Sequence, residues 1–149
     1  MTIRPFADGD LPAVYAIQLQ CPSAAQWREQ DYLQLAQEGT VLVAEAGDPA
    51  TVVGFAAFQR VLDESELRNL AIAPAHQQKG IGRALLQEGM RAVQRSGAQQ
   101  LFLEVRASNL PALALYRSVG FQLLYTRCDY YQAPVEDGLV MACKLTPAI

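Results

Sequence analysis

The stretch N-L-A-I-A-P-A-H-Q-Q-K-G-I-G-R-A-L-L-Q-E-G-M-R-A-V-Q-R-S, residues 69–96, decides the fold of this chain. Its first residues alternate in the manner of a strand, and a turn with two glycines follows at residues 77–82. From Gly82 to Ser96, apolar residues recur at helical spacing, with Leu86, Met90 and Val93 at i, i+4 and i+7. The stretch therefore predicts a strand, a tight turn and an amphipathic helix.

The predicted turn has the features of an anion-binding site. Gly80 and Gly82 have no Cβ, so the backbone can adopt positive φ and approach a ligand closely. The first N–H groups of the helix have no partner within it and lie at the positive end of its dipole, which suits a phosphate or pyrophosphate. A G-x-G pattern alone also describes a purely structural turn, and this one matches neither G-x-G-x-x-G nor a P-loop.

The rest of the chain predicts alternating strands and helices around this unit. Strands are predicted at 3–6, 40–46, 51–59, 66–72, 101–105, 121–129 and 139–145, and helices after Asp10, at 25–37, at 82–96 and from Ser108 or Asn109 to Ser118. Residues 135–138 are expected to form the last turn. The order β-α-α-β-β-β-α-β-α-β-β predicts an α/β fold, with a mixed sheet of six or seven strands and helices on both faces.

Composition limits the classes of function. With 149 residues, a net charge of −3 and a pI near 5.1, the chain predicts one soluble domain (residues 1–149) without a nucleic-acid-binding surface. It has no apolar run of membrane-spanning length, and its first residues do not resemble a signal peptide. Three widely spaced cysteines favour a reducing compartment, so we expect a cytoplasmic protein, and a single histidine predicts no metal site.

Glu104 is the sharpest single candidate for chemistry. Strand alternation puts Phe102 and Glu104 on one face of the strand at 101–105, where partial desolvation would favour the neutral carboxyl and make Glu104 a proton acceptor near neutral pH. A structural carboxylate at a strand end, paired with Arg106 or Arg68, is the alternative.

Tyr116 and Asn109 each have a structural and a functional interpretation. Tyr116 has the spacing of a core aromatic, but a phenol with a pKa near ~10 can also donate a proton to a departing thiolate. Asn109 suits a helix cap, as does Ser108, and could instead contact a ligand. Cys128 has no histidine near it in sequence to activate it, so we expect an inert thiol.

Four segments of the chain, taken together and in order, resemble the motifs of a known family. The segments V-L-D-E-S-E-L-R-N-L-A-I-A-P-A-H-Q-Q-K-G-I-G-R-A-L-L, L-E-V-R-A-S-N, A-L-Y-R-S-V-G-F and D-Y-Y begin at Val61, Leu103, Ala114 and Asp129. Q-x-x-G-x-G after a strand resembles the acyl-CoA pyrophosphate loop of the GNAT superfamily. The full set, over about the C-terminal two-thirds of the chain, looks like the ribosomal-protein alanine N-acetyltransferases, bacterial enzymes that acetylate the N-terminus of small-subunit protein S18.

The resemblance implies a GNAT-type domain, a mostly antiparallel sheet, acetyl-CoA as co-substrate and direct acyl transfer to a primary amine. It implies Glu104 as general base and Tyr116 as general acid, the latter also contacting the cofactor. Cofactor contacts are implied for Leu70, Ala71, Ile72, Gln77, Gln78, Lys79, Gly80, Ile81, Gly82, Arg83, Ala84 and Asn109. Acceptor contacts are implied for Trp27, Asn69, Tyr130 and Tyr131. The expected acceptor is the N-terminus of a ribosomal protein, and the expected state a monomer or weak homodimer without nucleic acid or membrane.

Two departures concern the acceptor. The family often has a Pro-Trp pair where Pro22 and Trp27 are separated by four residues, and it commonly has Ala in place of Gly138. Acyl transfer is therefore better supported than the identity of the acceptor. The alternatives are an acetyltransferase acting on a small amine, amino acid or antibiotic, and a CoA-binding protein without turnover. A nucleotide-binding domain is disfavoured, because the chain has no acidic ribose partner at a suitable distance and no P-loop lysine.

Overall fold

The computed structural model describes residues 1–145. Within them the chain forms, in order, β1 (Thr2–Pro5), α1 (Leu11–Gln20), α2 (Glu29–Glu38), β2 (Thr40–Ala46), β3 (Thr51–Val61), β4 (Glu64–Ile72), α3 (Ile81–Arg95), β5 (Gln100–Arg106), α4 (Leu110–Ser118), β6 (Gln122–Tyr131) and β7 (Glu136–Lys144). Short 3₁₀ turns occur at Asp8–Asp10 and Pro74–His76. The predicted element order is confirmed.

The described strands form one seven-stranded sheet in the order β1-β2-β3-β4-β5-β7-β6, in which only the β4–β5 pair is parallel. Alternation along the central strands separates two apolar layers. Leu42 and Phe58 belong to the large cluster that packs around α3 and α4, whereas Val43 and Phe55 belong to the cluster around α1 and α2. The α/β class, the mostly antiparallel sheet and the helices on both faces are thus as predicted.

The seam between β4 and β5 positions the site. Within residues 1–145 these strands pair only from Glu64 opposite Gln100 to Glu66 opposite Phe102, and beyond that point they diverge. Just past the seam, β4 carries one extra residue, Arg68, because Leu67 pairs with Phe58 and Asn69 with Ala57. The divergence opens a gap that continues toward the start of α3.

Several predicted boundaries were wrong. Strands β3, β4 and β6 each extend two residues past one predicted end, and three further differences follow. The second helix begins at Glu29 rather than Ala25, because the Ala25 backbone bonds to Asn69 and the carboxylate of Asp31 accepts from the Arg28 N–H (3.0 Å) to cap α2. Helix α3 begins at Ile81, one residue earlier than predicted, with Gly80 as its N-cap. The last turn comes before Glu136 rather than across residues 135–138.

Glu136 starts β7 because its side chain is fixed by the turn after β5. Its carboxylate accepts from the Ser108 N–H at 3.1 Å and from the guanidinium of Arg106 at 3.0 Å. These contacts hold the first residue of β7 against the sheet. Hydrophobic patterning carries no signal for them, since they join residues about 30 positions apart.

Candidate active site

A cleft of about 1180 Å³ opens where β4 and β5 diverge. Of the eighteen residues predicted for the site, all but Lys79 and Ala84 line it: Trp27, Asn69, Leu70, Ala71, Ile72, Gln77, Gln78, Gly80, Ile81, Gly82, Arg83, Glu104, Asn109, Tyr116, Tyr130 and Tyr131. The structure therefore brings together residues that lie more than 100 positions apart. Their roles remain predictions, and their geometry shows what each can do.

The turn before α3 presents its backbone to one end of the cleft. Gly80 has φ +81° and caps the helix, and the preceding Gln78 is also left-handed at φ +62°. Gly82, in contrast, lies in the first helical turn without a positive φ. The N–H of Ala84 already bonds to the Gly80 carbonyl (3.1 Å), so the N–H groups before Ala84 are the ones left to bind an anion.

The strand β4 directs alternate backbone groups into the gap. The Ala73 N–H bonds to the Val53 carbonyl (2.8 Å), and the pairing register continues from there, so Leu70 and Ile72 turn their N–H and C=O groups away from β3. The Ile72 carbonyl accepts from the side chain of Gln77 (3.0 Å) and the thiol of Cys21 (3.2 Å). The Leu70 carbonyl and the Ile72 N–H also point into the gap.

Glu104 lies on the cleft side of β5, as the alternation predicted. Its neighbours Leu103 and Val105 are buried on the opposite face, and its own side chain is 29% exposed. Its ionic partner is Arg127 of β6, whose Nε lies 3.5 Å from Oε1, rather than Arg106 or Arg68. A partly exposed carboxylate in a cleft is positioned to accept a proton from a bound amine.

Tyr116 projects from α4 into the floor of the cleft and is 8% exposed. Its ring packs against Phe121 at 5.8 Å between centroids, which fixes its direction. Burial, with a smaller contribution from Tyr131, raises the pKa of Tyr116 to about 12. The hydroxyl is therefore protonated throughout the neutral range and available as a hydrogen-bond donor.

Asn109 caps α4 and also lines the cleft. Its side-chain oxygen accepts from the Ala112 N–H at 3.3 Å, the arrangement that an N-cap asparagine typically makes. Since the side-chain NH₂ is not needed for the cap, the cap and a ligand contact are compatible.

Asn69 fixes the loop between α1 and α2, which we call the acceptor loop (residues 21–28). Its carboxamide donates to the Ala25 carbonyl (2.9 Å) and accepts from the Ala25 N–H (3.1 Å), and it also donates to the Tyr32 hydroxyl (3.0 Å). The same oxygen accepts from the Leu70 N–H (3.1 Å). Asn69 is 5% exposed, so it holds the cleft wall in place rather than presenting a free amide.

The acceptor loop is tied down by further buried hydrogen bonds. Gln18, which is 1% exposed, donates to the Trp27 carbonyl (2.8 Å) and accepts from the Tyr32 hydroxyl. The Trp27 ring packs on Tyr32 at 5.0 Å between centroids and lies beneath the guanidinium of Arg68. Despite its separation from Pro22, Trp27 therefore lies on the cleft wall.

Tyr130 and Tyr131 form the opposite wall, with their rings edge to face at 5.1 Å. The interaction of the Tyr130 hydroxyl with the Glu104 carboxylate raises the pKa of Tyr130. Burial raises the pKa of Tyr131, whose ring stacks on the guanidinium of Arg106 at 4.4 Å. Both tyrosines are thus neutral donors near Glu104.

Glu66 is a cleft residue that the sequence reasoning did not single out. It lies at the last paired position of β4 before the strands diverge and, like Glu104, lines both the main cleft and a second cavity of about 290 Å³. Burial, together with the nearby Glu104, raises the pKa of Glu66. Glu66 belongs to no recognisable sequence motif, so its place in the cleft is apparent only from the parallel pairing of β4 with β5.

Residues 1–145 offer neither a metal cluster nor a membrane-spanning helix. In this part of the chain no group of three or more His, Cys, Asp or Glu side chains could hold a metal ion. The helices described here are all too short or too polar to cross a membrane.

The family model described as "Acetyltransferase (GNAT) family" matches residues 11–121. Among curated proteins, the chain is 37% identical over 147 residues to the [ribosomal protein bS18]-alanine N-acetyltransferase of Escherichia coli K12, covering 97% of this chain and 98% of that protein. These matches confirm the resemblance drawn from the motifs.

Solved structures of acetyltransferases have the same fold as this chain. The crystal structure of the ribosomal-protein-S18-alanine N-acetyltransferase from Escherichia coli superimposes with a TM-score of 0.87 at 35% identity, covering 99% of this chain and 96% of that one. A putative acetyltransferase from Salmonella typhimurium, solved with its cofactor acetyl-CoA, has a TM-score of 0.85 at 24% identity and covers 100% and 96%. At that identity the second similarity concerns the fold alone.

Proposed function

Since the chain belongs to the acetyltransferase (GNAT) family, we propose that it transfers the acetyl group of acetyl-CoA to the α-amino group at the N-terminus of a protein. Ribosomal protein bS18, with its N-terminal alanine, is the acceptor named for the Escherichia coli relative and the first to test. The observation that carries the proposal is the continuous cleft, which joins the turn before α3 to Glu104, Tyr116 and the tyrosine pair.

The residues at one end of the cleft fit the CoA moiety. Free N–H groups at the start of a fifteen-residue helix, two left-handed residues in the turn and Arg83 in the first helical turn suit a pyrophosphate. The backbone groups that β4 directs into the gap suit the amides of the pantetheine arm, which would extend the sheet as a short strand. The NH₂ of Asn109 is available to the same arm.

The acceptor amine would attack the thioester carbonyl directly, forming the C–N bond as the C–S bond breaks. Glu104 accepts the proton that the amine loses. An α-amino group with a pKa near ~8 is already partly neutral at pH 7, so it demands less of one carboxylate than a lysine does. The N–H groups of Leu70 and Ile72 that face the gap stabilise the developing charge on the carbonyl oxygen, with Leu70 exchanging its bond to Asn69.

Tyr116 would assist the departing sulfur. With a pKa of about 12, its phenol is a weaker acid than the CoA thiol, whose pKa is near ~8.5. Hydrogen bonding to the developing thiolate is therefore more favourable than complete proton transfer. Acetylation without a covalent enzyme intermediate needs no nucleophilic cysteine, and Cys21, the cysteine that lines the cleft, has a pKa raised by burial.

Thiol release from acetyl-CoA, measured against a panel of acceptors, tests the proposal. The panel holds peptides that differ only in their first residue, an N-terminally blocked peptide with an internal lysine, polyamines and aminoglycosides. Turnover on Ala-initiated peptides, abolished by blocking, is the expected result. Activity on small amines alone would favour the small-amine alternative, and acetyl-CoA binding without turnover on any acceptor would favour a non-catalytic protein.

A further inference from the structure

The tyrosine pair occupies a position that a regular strand does not allow. Successive residues of a strand point to opposite faces, yet the rings of Tyr130 and Tyr131 contact each other, with 5.1 Å between their centroids. The pairing explains this, because Arg127 lies opposite Gly138 and Tyr131 opposite Glu136, so that three residues of β6 face the single residue between them. The middle one, Asp129, is left-handed at φ +52°. This bulge turns the Tyr130 ring toward the cleft.

The Tyr130 ring fills the space above Gly138 of β7. A Cβ at position 138 would lie 2.9 Å from Cδ2 and 3.4 Å from Cβ of Tyr130, and 3.2 Å from Cε2 of Tyr131. Gly138 itself has no positive φ, so its backbone conformation is open to any residue. A Cβ at position 138 would therefore require the tyrosine rings to shift.

The same ring contacts Arg127, the ionic partner of Glu104. The guanidinium of Arg127 lies 5.2 Å from the Tyr130 ring centroid, while its Nε lies 3.5 Å from Oε1 of Glu104. Tyr130, Arg127 and Glu104 thus form one contact group. The bulge and Gly138 determine where Tyr130 lies in it.

We propose that Gly138 is a positioning residue, which acts on acceptor turnover by letting the Tyr130 ring pack against β7 and beside Arg127, the ionic partner of Glu104. This inference rests on the proposed function and deepens it, because it assigns the efficiency of acceptor turnover in part to the absence of a side chain at position 138. A larger residue at 138 displaces the rings of Tyr130 and Tyr131, of which Tyr130 is 44% exposed, so it changes the acceptor wall outside the buried core.

Three variants test the inference: Gly138→Ala, Tyr130→Ala and the double variant. We expect Gly138→Ala to lower kcat/KM for an acceptor peptide about 10-fold, as misplacement of a group in the reacting cluster does, with the Kd for acetyl-CoA unchanged. If Gly138 acts through Tyr130, the double variant is no less active than Tyr130→Ala alone. Gly9→Ala is the matched control, since a Cβ at that position would have no heavy atom of the described residues within 4 Å.

Additive losses in the double variant, or full activity of Gly138→Ala, would overturn the inference. A second readout needs no substrate: the NMR signals of the Tyr130 ring, assigned with Tyr130→Phe, are expected to shift in Gly138→Ala but not in Gly9→Ala. Absent turnover by the wild type with every peptide rejects the proposed function, and unchanged Tyr130 ring signals reject the positioning role, so the two failures are distinguishable.

Discussion

The two walls of the cleft are built in opposite ways. The CoA-side wall, as we propose it, comes mainly from one contiguous segment, β4 and the turn into α3, and it offers mostly backbone N–H and C=O groups. The acceptor-side wall, as we propose it, combines the acceptor loop with the distant bulge of β6. It works through side chains, and these are held by the hydrogen bonds of Asn69 and by ring and guanidinium contacts. A backbone site tolerates changes of side chain, whereas a wall of paired side chains changes when either partner does. Acceptor preference can therefore diverge while the cofactor site is retained.

Glu104 lies between the two walls, and its loss is expected to have the largest effect. Glu104→Gln removes the proposed proton acceptor at nearly unchanged volume, so kcat should fall roughly 10²–10⁴-fold. Binding of acetyl-CoA, measured by calorimetry, should stay within about twofold of the wild type, because the CoA-side wall is untouched. Retained turnover would remove Glu104 from the chemistry and leave its pairing with Arg127 as a structural contact.

Gly82→Ala perturbs the CoA-side wall alone. A Cβ there meets Leu115 at 3.5 Å and Ile72 at 3.8 Å, ordinary contact distances, so the variant should fold normally. If the backbone at Gly82 approaches the pyrophosphate closely, KM for acetyl-CoA rises about tenfold, which corresponds to ~1.4 kcal/mol. KM for the acceptor peptide should not change. Equal affinity of the wild type and Gly82→Ala for acetyl-CoA would mean that the ligand does not approach Gly82 closely.

Asn69→Ala perturbs mainly the acceptor-side wall, although it also removes the acceptor of the Leu70 N–H. It releases the Ala25 backbone and leaves the buried Tyr32 hydroxyl with one partner fewer, at a cost of about 1–3 kcal/mol. We expect a lower Tm and a KM for the peptide raised about fivefold, with acetyl-CoA affinity retained. Tyr32→Phe, which removes only the hydroxyl, serves as the milder comparison and should show a smaller rise. A larger effect on acetyl-CoA than on peptide would contradict the division into two walls.

Glu66→Gln is expected to have the smallest effect, a pH-dependent change in melting temperature. Burial raises the pKa of Glu66 in the folded protein, so folding favours the protonated carboxyl; stability from this group is present below the ordinary pKa of 4.5 and is lost as pH rises through the higher folded value. The variant should therefore melt at a higher temperature than the wild type at pH 7 and at the same temperature below that ordinary pKa. Glu64→Gln, an exposed residue of the same strand, is the control.

The sequence was sufficient for the CoA-side wall because its information is local. Gly80, the apolar spacing of α3 and the alternation around Glu104 are each read within a few residues, and the structure has all three features. The largest boundary errors, at α2 and β7, occurred where a long-range contact overrode local preference. Ala25 has good helix propensity, yet it is not helical because its backbone bonds to Asn69, 44 residues away.

For the acceptor-side wall, the sequence predicted which residues take part but not how they are arranged. Tyr130 and Tyr131 were assigned from a resemblance, and their shared direction depends on a bulge that strand alternation does not predict. Glu66 enters the cleft through its pairing with β5, and Arg127 reaches Glu104 through the order of the sheet. Neither relation is visible without knowing which strands are neighbours.

The short β4–β5 seam has a consequence for the stability of the protein and its resistance to proteolysis. Within residues 1–145, three residue pairs join β4 to β5, so the four-stranded and three-stranded parts of the sheet share little main-chain bonding. A co-substrate that fills the gap adds its own binding energy to the folded state alone, worth about 2.7 kcal/mol at a hundred times its Kd. Resistance to heat and to proteolysis should accordingly rise and fall with acetyl-CoA concentration, which would couple the persistence of this enzyme to the metabolic state of the cell.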